Sequence, residues 1–270
     1  MKNLVFLCFL TFISIAALCQ EDGDHWEVYM AQYKEGPGST MVNMSLRNKA
    51  PDPRFRFLLI TGVGFKNCAD GFPADNEFDK LYAVSDSVNN LLSATVDNII
   101  AGSFTQGCER VDYIYLPDTT NIRKKLAALY KKRFPGYKPV IRMKADRAWE
   151  AYHAFLYPNE ETMEYMENSK VVLKLQEAGD LADRERDIDH WLYFKTEKDR
   201  EAFLPFAQSA GFTVKGKETV KEGKNPFQLH LVRKGKIDLP SICQLTLQLK
   251  KEAAKYNGEY DGWESVVVRQ

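Results

Sequence analysis

The order of periodicities in the last third of the chain restricts the fold more than any other feature. Residues 188–195 alternate apolar and polar positions, as a half-buried strand does. A helical apolar pattern follows over 197–210, with Thr196 as its N-cap. Two further alternating stretches, 212–218 and 227–232, flank the polar loop "VKEGKN". An amphipathic helix over 238–257 and a last strand over 260–269 complete the series. Strand, helix, strand, strand, helix, strand is the split βαβ order of a ferredoxin-like sandwich.

The first half reads as an antiparallel sheet with packed helices, which makes the whole chain α+β. Strands are expected over 25–34 and 41–47, paired as a hairpin around "KEGPGST", and over the more deeply buried 54–66. Asp75 is the expected N-cap of a helix whose apolar face is Phe78, Leu81, Tyr82, Val88, Leu91 and Leu92. A second hairpin, 99–105 with 110–116, encloses "QGCE". A helix over "PDTTNIRKKLAALYKKRF", closed by Pro135-Gly136, and a strand over 139–144 end this half. Residues 146–178 are mostly helical and broken at Pro158, with no Gly-, Ser- or Pro-rich run. The expected organisation is a leader over 1–19, a first domain over 20–145, a helical connector over 146–158 and a second domain over 159–270.

A chain of 270 residues with 44% hydrophobic content has enough apolar matter for two cores. Its 37 basic and 37 acidic residues cancel, and removing Lys2 with the leader leaves 36 against 37, or −1. That balance recruits no nucleic acid. The runs Arg123-Lys124-Lys125 and Lys131-Lys132-Arg133 read as the solvated face of one helix.

The N-terminus has the plan of an export signal. Lys2 precedes an apolar run from Leu4 to Leu18, and Ala17 and Cys19 occupy −3 and −1 if cleavage precedes Gln20. The run is shorter than the roughly 20 residues that a bilayer needs. A lipid anchor on Cys19 is the alternative, and Leu18 opposes it because lipoprotein signals carry a small residue there. The expected location is therefore periplasmic or secreted, with no membrane association beyond export. Three cysteines remain, Cys68, Cys108 and Cys243, in a compartment where disulfides persist. Cys243 falls on the apolar face of the last helix and reads as a buried thiol. Cys68 and Cys108 lie beside turn residues in the first half and are expected to form a disulfide.

Catalytic patterns are missing from the sequence: it has no H-E-x-x-H, no C-x-x-C, no phosphate-binding glycine loop and no G-x-S-x-G. No cofactor and no metal site is expected. Two clusters could carry acid–base chemistry, "DIDHW" (Asp187, Asp189, His190, Trp191) and "EYDGWE" (Glu259, Asp261, Glu264). In a ferredoxin-like sheet they lie on adjacent antiparallel strands. The expected register sets Asp187 near Val267 or Val268 and Asp261 near Phe194 or Lys195, about 20 Å apart. Asn257-Gly258 reads as a helix C-cap and Asp261-Gly262 as a bulge. Tyr260 and Trp263 either cover the edge of the core or, with Asp261, His190 and Trp191, form a candidate binding surface, since Tyr and Trp are enriched at hot spots.

The second half resembles the regulator of ribonuclease E activity B (RraB) family over about 160–270, on "DHWLYF", "AGF" and "GEYDGWE" at matching distances. That resemblance implies a ferredoxin-like, non-catalytic protein that binds and inhibits a bacterial RNA-decay endonuclease. Residues 25–145 resemble a domain of unknown function (695) often fused to it, on Trp26-x-Val28-Tyr29, "NMSLRNKAP", "DGFPADNEFDKL" and "GSFTQGCERVDYIYLPD". An exported chain cannot meet a cytosolic nuclease, so the inhibitory activity is not carried over. The expectation is an exported binding or regulatory protein, not an enzyme, with a protein partner. The alternatives are a secreted carboxylate-dependent hydrolase and a ribonuclease E inhibitor-like regulator of RNA decay.

Overall fold

The computed structural model describes residues 23–221 and 223–269. The expected leader, with Cys19 and Gln20, lies outside the described residues. The described chain divides into two compact units, one of residues 23–28 with 40–153, the other of residues 29–39 with 154–269.

The first sheet is built from β1 (Trp26–Tyr33), β2 (Gly36–Asn43), β3 (Phe57–Gly64), β6 (Ile99–Gln106), β7 (Glu109–Leu116) and β8 (Lys138–Ala145), in the order β1-β2-β6-β7-β3-β8. A two-stranded ribbon, β4 (Cys68–Ala69) with β5 (Phe72–Pro73), precedes helix α1 (Phe78–Ser93), and α2 (Ile122–Arg133) joins β7 to β8. The helices bury Leu81, Val84, Val88, Leu92, Leu126 and Tyr130 against Leu59, Val63, Ile114 and Leu116 of the sheet. On the strand positions between these, Trp149 stacks flat on Tyr115 at 3.8 Å. The Tyr115 hydroxyl donates to Asp146 Oδ2 at 2.8 Å, and the same carboxylate accepts from the Glu150 and Ala151 amides. Asp146 thereby caps the π-helical turn Ala151–Leu156.

Several local expectations shift. The hairpin turns at Lys34-Glu35, so Gly36-Pro37-Gly38 belongs to β2, which ends at Asn43. Gly36 has φ +123°, a conformation open to glycine, and this completes the turn within two residues rather than the seven of "KEGPGST". Residues 44–46, expected as strand, form a 3-10 turn capped by the Asn43 side chain. Asp75 does not cap α1: it begins a 3-10 turn, Asp75–Glu77, that runs into the helix without a side-chain cap. The helix is rotated from its expected face, so Phe78 and Tyr82 are exposed while Val84 and Ser87 are buried.

Cys68 and Cys108 are bridged, with Cα atoms 5.9 Å apart. Cys108 occupies the β6–β7 turn with Gly107, both at positive φ (61° and 56°), the combination that a two-residue hairpin turn needs.

The second unit carries α3 (Glu160–Glu177), β9 (Arg186–Phe194), α4 (Glu197–Ser209), β10 (Thr213–Thr219), β11 (Phe227–Gly235), α5 (Leu239–Ala254) and β12 (Gly258–Ser265). Thr196 and Asp238 cap α4 and α5 through side-chain acceptors. The sheet order is β10-β11-β9-β12 and every pairing is antiparallel, the ferredoxin-like arrangement. Phe203 and Ala207 of α4, Ile242, Leu249 and Ala253 of α5, and Val172 of α3 form one core with Ile188, Leu192, Phe194, Leu229 and Leu231. Cys243 is a buried free thiol, and burial raises its pKa. After β12 the chain is held at Asp180: its carboxylate pairs with the buried Arg186 and accepts from the Val268 amide, while the Leu181 amide donates to the Val268 carbonyl.

Candidate functional site

The register of β9 and β12 departs from expectation. Gly258, not Asp261, is opposite Phe194, because β12 begins two residues early and β9 ends one residue early; a bulge then takes one residue back. Pairing runs Tyr260 to Leu192, skips Asp261, and resumes with Gly262 to Trp191, Trp263 to His190 and Glu264 to Asp189. The two acidic motifs therefore lie side by side rather than at opposite ends. Pairing ends at Ser265 and Ile188, so Asp187 has no partner strand residue in β12.

Proximity along the backbone does not unite their side chains. Residues 186, 188, 190, 192 and 194 of β9 are buried, and those between them are exposed or half-buried. His190 is 0% exposed on the helix-covered face. Its Nδ1 meets the Tyr260 hydroxyl at 3.0 Å, and its ring stands edge-on to Phe212 at 5.5 Å. Burial pulls the imidazole pKa down to about 3, so the ring is neutral at physiological pH. Burial also pushes the Tyr260 phenol up. Gly262, at φ +149°, supplies the bulge that turns both Tyr260 and Trp263 to this inner side. Trp263 Nε1 donates to Asn168 Oδ1 at 2.7 Å, and Asn168 Nδ2 donates to Thr246 at 2.8 Å. Three members of the candidate surface, His190, Tyr260 and Trp263, thus brace the core edge. Asp261 is exposed on the bulge, and Trp191 alone faces the other way.

On that other face Trp191 and Asp189 are joined by Tyr193, Gln228 and His230, none of which the sequence marked as a site candidate. Trp191 stacks on His230 with ring centroids 4.8 Å apart and planes 11° from parallel. His230 Nε2 meets Asp189 Oδ1 at 2.6 Å. One row further, Gln228 Nε2 donates to the Tyr193 hydroxyl at 2.7 Å. Cross-strand pairing sets the rows: Glu218, Gln228, Tyr193 and Glu259 in one, Gly216, His230, Trp191 and Gly262 in the next, and Val232, Asp189 and Glu264 below. Trp191, Tyr193 and His230 are half-buried and take no part in the hydrophobic core, which lies wholly on the helix side. The signal available in sequence was the alternation of His230 with Leu229 and Leu231, which sends the imidazole away from the core.

The arrangement suits recognition better than chemistry. Asp189 and His230 form an acid–base pair, but Trp191 and Val232 flank it rather than a nucleophile. Among the described residues no group of three or more His, Cys, Asp or Glu side chains is placed to hold a metal ion. A cleft of about 410 Å³ lies between α5 and β12, but its Lys250 and Lys251 are neutralised by Glu164 and Glu161, leaving little charge to hold an anionic cofactor. No helix among the described residues is long and apolar enough to cross a membrane.

Fold and site thus define a two-unit α+β protein whose ferredoxin-like half presents an aromatic sheet face. Residues 165–265 match the family "Regulator of ribonuclease activity B", and residues 24–157 match a "Family of unknown function (DUF695)", so two family models match successive stretches of this polypeptide. No curated protein matches. Among solved structures, an unknown protein from Galdieria sulphuraria aligns at 8% identity over 78% of this chain and 99% of that one, with a TM-score of 0.21. A structure described as a "putative glycine cleavage system transcriptional repressor" aligns at 12% identity over 78% and 98%, with a TM-score of 0.22.

Proposed function

We propose that the chain is an exported, non-catalytic binding protein that engages a protein partner through the uncovered face of its second sheet. The observation that carries this reading is the Trp191–His230 stack on a sheet face that no helix of its own unit covers. Stacked rings held in place by Asp189 form a rigid platform, and aromatic side chains of that kind dominate binding energies. The match to a regulator family supports a binding or regulatory role. The Cys68–Cys108 bridge supports export, since such bonds persist in oxidising compartments. The same bridge argues against the reading as a cytosolic regulator of RNA decay. The hydrolase reading needed Asp187, His190 and Asp261 to converge, and His190 points into the core while the carboxylates point out.

Two measurements test this. Purified from the cell envelope, the mature chain is expected to begin at Gln20 without lipid; a diacylated Cys19, or an intact Met1 in the cytosol, overturns the export reading. A photo-crosslinking amino acid at Tyr193 is expected to trap a protein in intact cells, whereas one at Tyr165, an exposed side chain of α3, traps none. Equal yields at both positions would remove the sheet face as the binding surface.

A further inference from the structure

Resting on the reading of the sheet face as a binding surface, we infer that its occupant is a cationic segment of a partner protein, with an arginine seated on the Trp191–His230 platform between Glu259 and Glu264.

The face has a distinct layout. The row that contains the stacked rings ends in glycine on both sides, Gly216 on β10 and Gly262 on β12. A side chain added at Gly262 would meet nothing within 4 Å, and one at Gly216 would meet only the His230 Cβ, at 3.8 Å. The two rings cover each other, so the indole face turned away from His230, beside Gly262, is left open for a ligand to stack on. The rows above and below supply carboxylates: Glu218 and Glu259 on one side, Asp189 and Glu264 on the other, with Asp187 beyond. Asp189 is engaged by His230. Among the described residues, none of the side-chain carboxylates of Asp187, Glu218, Glu259 and Glu264 has a hydrogen-bond or ion-pair partner, and all four residues are exposed. Against them the face sets Lys234, opposite Asp187.

Charge and shape select the same chemistry. A single-stranded nucleic acid also stacks on aromatic sheet residues, but it needs cations along its phosphates. Here the surround is anionic, which repels phosphates. A guanidinium satisfies both components at once. It is planar and weakly hydrated, stacks on an indole through cation–π attraction, and leaves its edge free for paired hydrogen bonds to carboxylates. Lysine offers the charge without the plane. The unpaired carboxylates flank the platform on both sides, so a segment with a second cation near the first gains a further contact.

The test uses the full mature chain and three labelled probes of equal length: an arginine-containing peptide, the same peptide with citrulline at each arginine, and an oligouridine. Fluorescence anisotropy is expected to show binding of the arginine peptide that weakens with salt, with little binding of the other two. Trp191→Ala and the double variant Glu259→Gln, Glu264→Gln are each expected to lower affinity about tenfold. A control pair on α3, Glu160→Gln with Glu177→Gln, is expected to leave it unchanged. The glutamine variants touch exposed side chains, so circular dichroism should show an intact fold. Tighter binding of oligouridine, no binding of the arginine peptide, or equal losses in the control pair would each overturn the inference. If the arginine peptide fails while the crosslinker at Tyr193 still traps a protein, the cationic occupant is wrong and the binding face stands.

Discussion

Burial sets the protonation of two residues, and their effects on stability run in opposite directions with pH. His190 has its pKa lowered from 6.5 to about 3 by desolvation, the charges of Arg233 and His230 adding to this and Asp189 opposing it. Between those values the unfolded chain binds a proton that the folded chain refuses. Stability from this group is therefore complete above about pH 6.5 and is lost as pH falls toward 3. Asp112, buried in β7, has its pKa raised from 3.8 to about 6, again by desolvation. The folded chain keeps a proton that the unfolded chain releases, so this contribution is present below pH 3.8 and lost as pH rises through 6. Asp112→Asn is expected to stabilise the chain at pH 7.5, by on the order of a few kcal/mol at most, and to change little at pH 4. His190→Gln is expected to flatten the loss of stability between pH 6 and 4. Urea titrations across pH read both. Neither effect was legible in sequence: "RVDYIYL" and "DHWLYF" show only that a strand passes, not which side chains the helices will cover.

At the scale of elements, the bulge in β12 decides which side chains serve the core. A strand alternates, so Tyr260 and Trp263, three positions apart, would face opposite ways without the bulge. With it, both reach inward, to His190 and to Asn168. Gly262→Ala is expected to cost about 1–3 kcal/mol, because φ +149° is strained for any residue with a Cβ and no contact compensates. Deleting Asp261 removes the bulge and leaves Tyr260 and Trp263 two positions apart, so both still face inward; an extra residue inserted at the same point would turn one of them outward and is expected to cost more than the deletion in the same urea titration. The order of elements was legible because its signals are local: Thr196 and Asp238 cap helices, and leucines alternate at 229 and 231. The register was not, since one inserted residue shifts every later pair and leaves no mark on periodicity. For the same reason, Asp261-Gly262 announced a bulge but not its consequence. The pairing of Trp191, a candidate from the sequence, with His230 was not legible for a different reason. Alternation separates Trp191 and His230 from the leucines beside them, and only the assembled helices reveal which face remains bare.

At the scale of the whole molecule, the chain carries two cores and two different means of tying down its loops. In the second unit the device is electrostatic. Asp180 and Arg186 form a buried ion pair that also anchors the Val268 amide. Removing one partner leaves a buried charge uncompensated, so Asp180→Asn is expected to destabilise by about 3–5 kcal/mol. In the first unit the device is covalent. The Cys68–Cys108 bridge closes a loop of 40 residues that contains α1 and joins the β4–β5 ribbon to the β6–β7 turn. Loop closure of that length restricts the unfolded chain by about 4 kcal/mol. Replacing both cysteines with serine is therefore expected to lower the unfolding midpoint at any pH, and reductant should reproduce the shift in the parent but not in the variant. Cys243 provides the internal check. It is buried in the second unit with its thiol pKa raised by desolvation. In the absence of denaturant it should label slowly with a thiol reagent in both proteins, because its protection derives from α3 and α5 rather than from the bridge. Rapid labelling in the serine variant would show that the bridge holds the second core as well. An unchanged midpoint would show that the bridge stabilises neither.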